Sequence, residues 1–345
     1  MSGVAAGVLL SALAGILNGS FAAPTKYVRR WNWENIWAVW AVVAMALMPW
    51  TLVILTVPSG IKFYVYASSR VVWLLVLFGI GFGISQILFG LGIAAIGIAL
   101  NFAIAIGLST ALGSLVPLIL LQPETIFTLK GGTIFLGVAL ILVGIVLSAI
   151  AGWMKEKEHQ IGPQAKHGDV EEKMSFKKGL ILCILAGLGS PLINFGLAFG
   201  KTLTTQAGQV GVSPASQANV IWAPLLSASL VPYLLYCIYL WRKHHSWHLY
   251  ALPESGINWL LGAIMGILWM SSVAIYGTVS VKLKSIGPIL GWPLFMSTII
   301  VTSSVWGFAT GEWTGSFRKS RVIALSGILF LIFGFCALAY ATRFG

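Results

Sequence analysis

Long apolar runs, separated by short polar stretches, follow one another from end to end of the chain. Runs such as Val71–Phe82 and Val138–Ala151 are too long and too evenly apolar for barrel strands, which alternate apolar and polar residues. A helix needs about 20 apolar residues to cross a bilayer. On that measure spans are predicted near 3–24, 35–57, 71–94, 98–121, 131–153, 177–200, 216–240, 258–281, 287–309 and 320–341. The expected fold is therefore all-α, a polytopic membrane protein of ten transmembrane helices. The one long polar stretch, Lys155 to Lys173, carries mixed charge and is read as a linker, 154–176, between a first five-helix half, 1–153, and a second, 177–345.

Composition strengthens this picture. Of 345 residues, 58% are hydrophobic and only 9% charged, against roughly 25% charged in soluble domains. Hydrocarbon offers no partner to a peptide group, so the backbone must close its hydrogen bonds within helices. The net charge of +12 would suggest nucleic acid in a soluble protein, but here the basic residues flank apolar spans, where they set topology. The odd-numbered loops with their flanking span ends hold 14 Lys and Arg, and the remaining loops and termini hold 7. Positive loops stay inside, which predicts periplasmic termini and a cytoplasmic 154–176 linker in an inner membrane. The N-terminus lacks the charged start and small-residue cleavage site of a signal peptide and is expected to be a first span that stays in place. Cys183, Cys237 and Cys336 fall within predicted spans at no metal-ligand spacing and are expected to be buried thiols. No metal or cofactor motif is read.

The halves resemble one another. Gly7 to Gly15 in span one and Gly179 to Gly187 in span six share glycines eight apart and a Leu-Ala-Gly ending. Ser109-Thr110 with Glu124 match Ser297-Thr298 with Glu312, and Gly137 and Gly144 match Gly327 and Gly334, at offsets of 172, 188 and 190 in order. Five spans per half is odd, so a duplicated second half enters the membrane inverted, the plan of many secondary transporters.

Particular residues carry a family resemblance. Pro24-Thr-Lys26-Tyr-Val28, followed by Trp31-Asn-Trp33-Glu34-Asn-Ile-Trp37, resembles the first-loop signature of the L-rhamnose/proton symporters, a branch of the drug/metabolite transporter superfamily. The similarity continues at Gly90-Leu-Gly92, Lys177-Lys178-Gly179, Gly200-Lys201, Trp269, Trp292 and Gly311-Glu312-Trp313. It implies ten helices in two inverted halves and proton-driven uptake of a 6-deoxyhexose such as L-rhamnose. At span nine the family typically has histidine where this chain has Phe295. That departure bears on both solute and proton route. The alternative reading is a drug/metabolite transporter for another solute, in either direction.

A sugar presents hydroxyls that need donors and acceptors, and C–H faces that stack on aromatic rings. Polar groups are costly in lipid, so those within spans are expected to face the interior. The substrate-binding candidates are Asn18, Gln86, Asn101, Asn194, Trp269, Tyr276, Trp292, Ser297 and Thr298. The amides serve equally well as links between helices, the hydroxyls can bond the preceding helical turn, and the tryptophans near span ends are most simply an interfacial belt. No Asp, Glu or His lies mid-span. The candidates for proton coupling or gating therefore stand at span ends: Glu34, Glu312, Glu124, Lys26 and Lys201, whose plainer role is interfacial pairing. An intramembrane enzyme would need buried carboxylates or a metal motif within spans, and the chain has neither. The expected partners are a sugar, a proton and the bilayer, with no nucleic acid.

Overall fold

The computed structural model describes residues 2–96, 101–161, 176–311 and 313–344. Ten helices are long and apolar enough to cross a membrane: α1 (Ala6–Tyr27), α2 (Trp33–Thr56), α3 (Ser69–Ile96), α4 (Phe102–Leu121) and α5 (Leu129–Lys155), then α6 (Phe176–Phe199), α7 (Asn219–His244), α8 (Ser255–Lys282), α9 (Gly287–Ala309) and α10 (Arg318–Ala341). No strand occurs among the described residues. The predicted spans match these helices to within a few residues. Most of the 154–176 linker lies outside the described residues.

The helices depart from regularity where sequence gives cause. α6 is interrupted at Ser190-Pro191, between Phe176–Gly189 and Leu192–Phe199, because proline supplies no N–H to continue the ladder. α2 and α4 each widen into a π-helical turn, at Val43–Leu47 and Phe102–Ile106, a feature that frequently marks functional sites. Outward faces are apolar: Trp73, Leu77, Ile80 and Ile84 form an exposed stripe along α3. Such a stripe would drive aggregation in water and is at home against lipid. Cys336 is exposed on α10, contrary to the expectation of a buried thiol, whereas Cys183 and Cys237 are buried. Apolar periodicity alone does not tell which face of a wholly apolar helix meets lipid.

Packing groups the chain into two compact units. The first comprises Met1–Ile84 and Leu192–Gly291, the second Ser85–Pro191 and Trp292–Gly345. In the first unit α1 and α2 pack along α8, and α2 also packs on α7. Gly79 and Gly83 of α3 lie against the Leu225 and Ser229 carbonyls of α7, where an added Cβ would sit 2.1 and 2.3 Å from those oxygens. Four-residue spacing on both helices lets their backbones touch, which is how helices associate without a hydrophobic driving force.

In the second unit α5 and α10 form the most extensive contact. Gly137 meets Leu338, Gly144 meets Leu331, Gly327 meets Ser148 and Gly334 meets Ile141. Adding 190 to the first-half residue of each contact, and removing it from the second-half residue, turns the first contact into the third and the second into the fourth. The pair is antiparallel, and its glycine contacts recur at an offset of 190 residues. The α5 helix continues beyond its span to Ile161. There Glu158 Oε2 accepts the Phe317 N–H at 2.8 Å and the Ser320 hydroxyl at 3.1 Å, capping the start of α10.

A Gly144→Leu substitution, whose Cβ alone would lie 2.9 Å from the Gly327 carbonyl, is expected to destabilise the protein by about 1–3 kcal/mol. Gly132→Ala, with nothing within 4 Å, is expected to be neutral. Thermal unfolding in detergent with both variants side by side checks the difference.

Candidate functional site

Most polar side chains of the spans are satisfied on their own helix. Thr110 donates to the Ile106 carbonyl at 2.8 Å, Thr298 to Leu294 at 2.9 Å and Ser297 to Leu294 at 3.0 Å, the usual outlet for a hydroxyl in a helix. An asparagine side chain is not so readily accommodated by the preceding turn and must reach another segment.

Two asparagines reach the same face of α8. Trp269, Ser272 and Tyr276 are spaced so that they share one side of that helix, and all three are buried. Asn18 of α1 donates through Nδ2 to the Ser272 hydroxyl at 2.8 Å, and Ser272 donates onward to the Trp269 carbonyl at 2.6 Å. One turn further along, the Tyr276 hydroxyl donates to Asn194 Oδ1. Asn194, in the short helix after the break in α6, donates through Nδ2 to the Pro288 carbonyl at 3.1 Å. The indole of Trp269 stands edge-on to Trp40 of α2, with ring centroids 5.5 Å apart. Trp40 also touches Phe21, Trp37 and Tyr233. Its own Nε1–H is buried without a hydrogen-bond partner.

The structure thus brings four of the sequence candidates, Asn18, Asn194, Trp269 and Tyr276, onto one stripe in the first unit. Chemically this is a set of exchangeable donors and acceptors flanked by aromatic surface, with one indole donor unused. No grouping of three His, Cys, Asp or Glu side chains that could hold a metal occurs among the described residues.

The other solute candidates lie in the second unit. Asn101 is buried, donates to the Phe89 carbonyl at 3.2 Å and lies against Gly92, where a Cβ would displace its Oδ1. Trp292 donates its indole N–H to the Ser109 carbonyl at 2.9 Å and lies over Gly113. Phe295 is buried with its ring centroid 6.1 Å from that of Trp292. Gln86 is half-buried on α3. Among the charged candidates, Glu124, Lys26 and Lys201 are exposed, and Glu312 lies outside the described residues. Glu34 differs from all of them: its side chain is only 2% exposed and accepts three hydrogen bonds, from Asn32, His244 and Ser246.

Several residues of these two sites escape sequence reasoning. Ser272 and Ser246 are not singled out there, and His244 is noted only as lying outside the spans. Trp33, Trp37 and Trp40 do carry a signal, since their spacing places them along one side of α2. The result is a chain of ring contacts running from Trp33 through Trp37 to Trp40.

Comparison with known proteins fits this picture. The family model described as L-rhamnose-proton symport protein matches residues 2–340. An L-rhamnose-proton symporter of Shigella sonnei (strain Ss046) is 27% identical over 319 residues, 90% of each chain. One of Escherichia coli (strain 55989 / EAEC) shows the same identity and coverage. That of Citrobacter koseri is 27% identical over 320 residues, 90% of this chain and 91% of its own. With ten membrane-spanning helices and a family match from residue 2 to residue 340, this chain belongs to the L-rhamnose-proton symport protein family.

Proposed function

We propose that this protein carries L-rhamnose, or a closely related sugar, into the cell together with a proton, by alternating access. The observation that carries the reading is the stripe on α8. Asn18, Ser272, Tyr276 and Asn194 supply amide and hydroxyl groups in a line, and Trp269 and Trp40 supply aromatic surface beside them. A 6-deoxyhexose pairs hydroxyls with apolar C–H and methyl surface, and the stripe has a partner for each. Before the sugar arrives these polar groups bond one another, so none is left unsatisfied in a low-dielectric interior. Binding then exchanges side-chain partners for sugar hydroxyls, and the unused Trp40 Nε1–H gains an acceptor.

The inverted-repeat plan is part of this proposal. Its support is the two-fold pattern of glycine contacts between α5 and α10, together with the parallel back-bonding of Thr110 and Thr298. Orientation is likewise proposed: termini periplasmic, the 154–176 linker cytoplasmic, from the excess of Lys and Arg in odd-numbered loops. Contacts within the units agree with the span count behind that assignment, since the α1–α2 loop meets the α7–α8 loop and the α2–α3 loop meets the segment before α7.

Proteoliposomes or intact cells are expected to accumulate labelled L-rhamnose, and a protonophore is expected to abolish the accumulation. Failure to transport rhamnose or any related sugar would overturn the reading. Tyr276→Phe leaves Asn194 Oδ1 without its phenolic donor, which costs about 1–2 kcal/mol, or roughly five- to thirtyfold in KM, if that bond is exchanged with the sugar. An unchanged KM in a folded Tyr276→Phe protein would remove the α8 stripe from the site while leaving the substrate assignment intact.

A further inference from the structure

Tyr233 of α7 lies in a run, Tyr233-Leu-Leu-Tyr236-Cys-Ile-Tyr239, whose tyrosines recur every three residues, so the sequence singles out none of them. The structure separates them. Tyr239 is exposed. Tyr236 is half-buried, its ring centroid 6.4 Å from that of Trp33 at the start of α2. Tyr233 is only 3% exposed, and its ring stands edge-on to Trp40 with centroids 5.8 Å apart. Trp40 also meets Phe21, Trp37 and Trp269. Five rings from α1, α2, α7 and α8 thus form one cluster, in which Phe21 and Trp37 are half-buried and the other three are buried.

Packing alone does not account for the polar atoms of this cluster. The Trp40 indole N–H is buried without a hydrogen-bond partner. The Tyr233 hydroxyl and the Trp269 indole N–H also make no hydrogen bond to any described residue, although both residues are buried. Asn18 adds an acceptor. The Ser272 hydroxyl has a single proton, which goes to the Trp269 carbonyl, so Ser272 accepts from Asn18 Nδ2. That orients the Asn18 amide with Oδ1 turned away from Ser272, and this oxygen too has no partner among the described residues. Buried polar side chains are nearly always paired, and each exception calls for an explanation. Four exceptions in adjoining side chains call for a common one. Water would answer the polar atoms but not the ring surface around them, whereas a pyranose answers both.

We propose that the sugar ring binds against this cluster and that Tyr233 is a specificity-determining residue, its hydroxyl bonding one sugar hydroxyl. The inference rests on the sugar-transport reading above and deepens it. It places the ring on the Trp40 side of the α8 stripe and adds a contact from α7. Trp40 and Trp269 can only donate, Asn18 Oδ1 can only accept, and the Tyr233 hydroxyl does either. Sugar hydroxyls also do either, so one neutral polyol can satisfy all four groups while its C–H faces lie on the rings. A simple organic cation would find the rings but has no lone pair for the two indole N–H groups. The Tyr233 hydroxyl is tied to nothing in the protein, so a sugar that meets it displaces no existing side-chain bond there. This sets Tyr233 apart from Tyr276, whose hydroxyl is already engaged with Asn194.

Uptake kinetics of the full-length Tyr233→Phe protein in proteoliposomes test this, because the hydroxyl removed bonds nothing in the protein itself. Thermal stability in detergent is expected to stay at the wild-type value, while KM for L-rhamnose rises about tenfold, the effect of one lost hydrogen bond to a buried polar group. Tyr236→Phe, near Trp33 at the membrane edge, is expected to leave KM within about twofold of wild type. Among rhamnose analogues that each lack one ring hydroxyl, one is expected to show the same KM in wild type and Tyr233→Phe, since the partner of the phenol is already gone. An unchanged KM in folded Tyr233→Phe, with rhamnose carried by the wild type, would overturn the proposal and leave the substrate reading standing. So would a rise in KM that persists undiminished with every analogue. Should Tyr233→Phe not fold, an unchanged KM in Trp269→Phe, which keeps a ring and removes the N–H, overturns it instead. A wild type that transports no sugar overturns the sugar reading itself and this inference with it.

Discussion

Hydrocarbon accepts no hydrogen bonds, and nearly every feature of this protein follows from that single fact. The backbone satisfies itself in ten helices. Hydroxyls within spans turn back onto the preceding carbonyls, as Thr110 and Thr298 do. Buried amides do not close on their own turn, so they become links between segments, and two of them converge on one face of α8. Where backbone must approach backbone the chain uses glycine, at Gly79 and Gly83 against α7 and at Gly144 against α10.

The polar stripe on α8 lies in the first unit, which also holds the hydrogen bonds around Glu34. Tryptophans link the two places: Trp33 stacks on Trp37, Trp37 meets Trp40, and Trp40 meets Trp269 on the polar stripe. An aromatic lane of this kind is sterically stiff, and displacement of α2 at its Glu34 end would be felt at Trp40. The interior is close-packed and transmits strain rather than absorbing it.

The second unit is built differently. Its α5 and α10 form a tight antiparallel pair with reciprocal glycine contacts, and Trp292 is engaged with the Ser109 carbonyl. Phe295 is buried near Trp292.

The number of helices, their limits and the membrane as solvent were legible in the chain, because apolar length is a one-dimensional property and hydrocarbon thickness fixes its scale. The glycine matches at an offset of 190 were legible too, and the α5–α10 contacts follow the same offset. The identity of the polar candidates followed from cost alone: an amide in a span must have a partner. Which partner it has was not legible. Asn18 and Ser272 are 254 residues apart, Glu34 and His244 are 210 apart, and no local pattern encodes such pairings. His244 looked like a loop residue, and Glu34 like an interfacial carboxylate, until the left-handed turn at His245 brought them together. Sequence by itself determined that this protein lives in a bilayer as ten helices with a few polar groups inside. Only the tertiary structure decided which of those groups meet, because burial and hydrogen bonding are properties of the packed state.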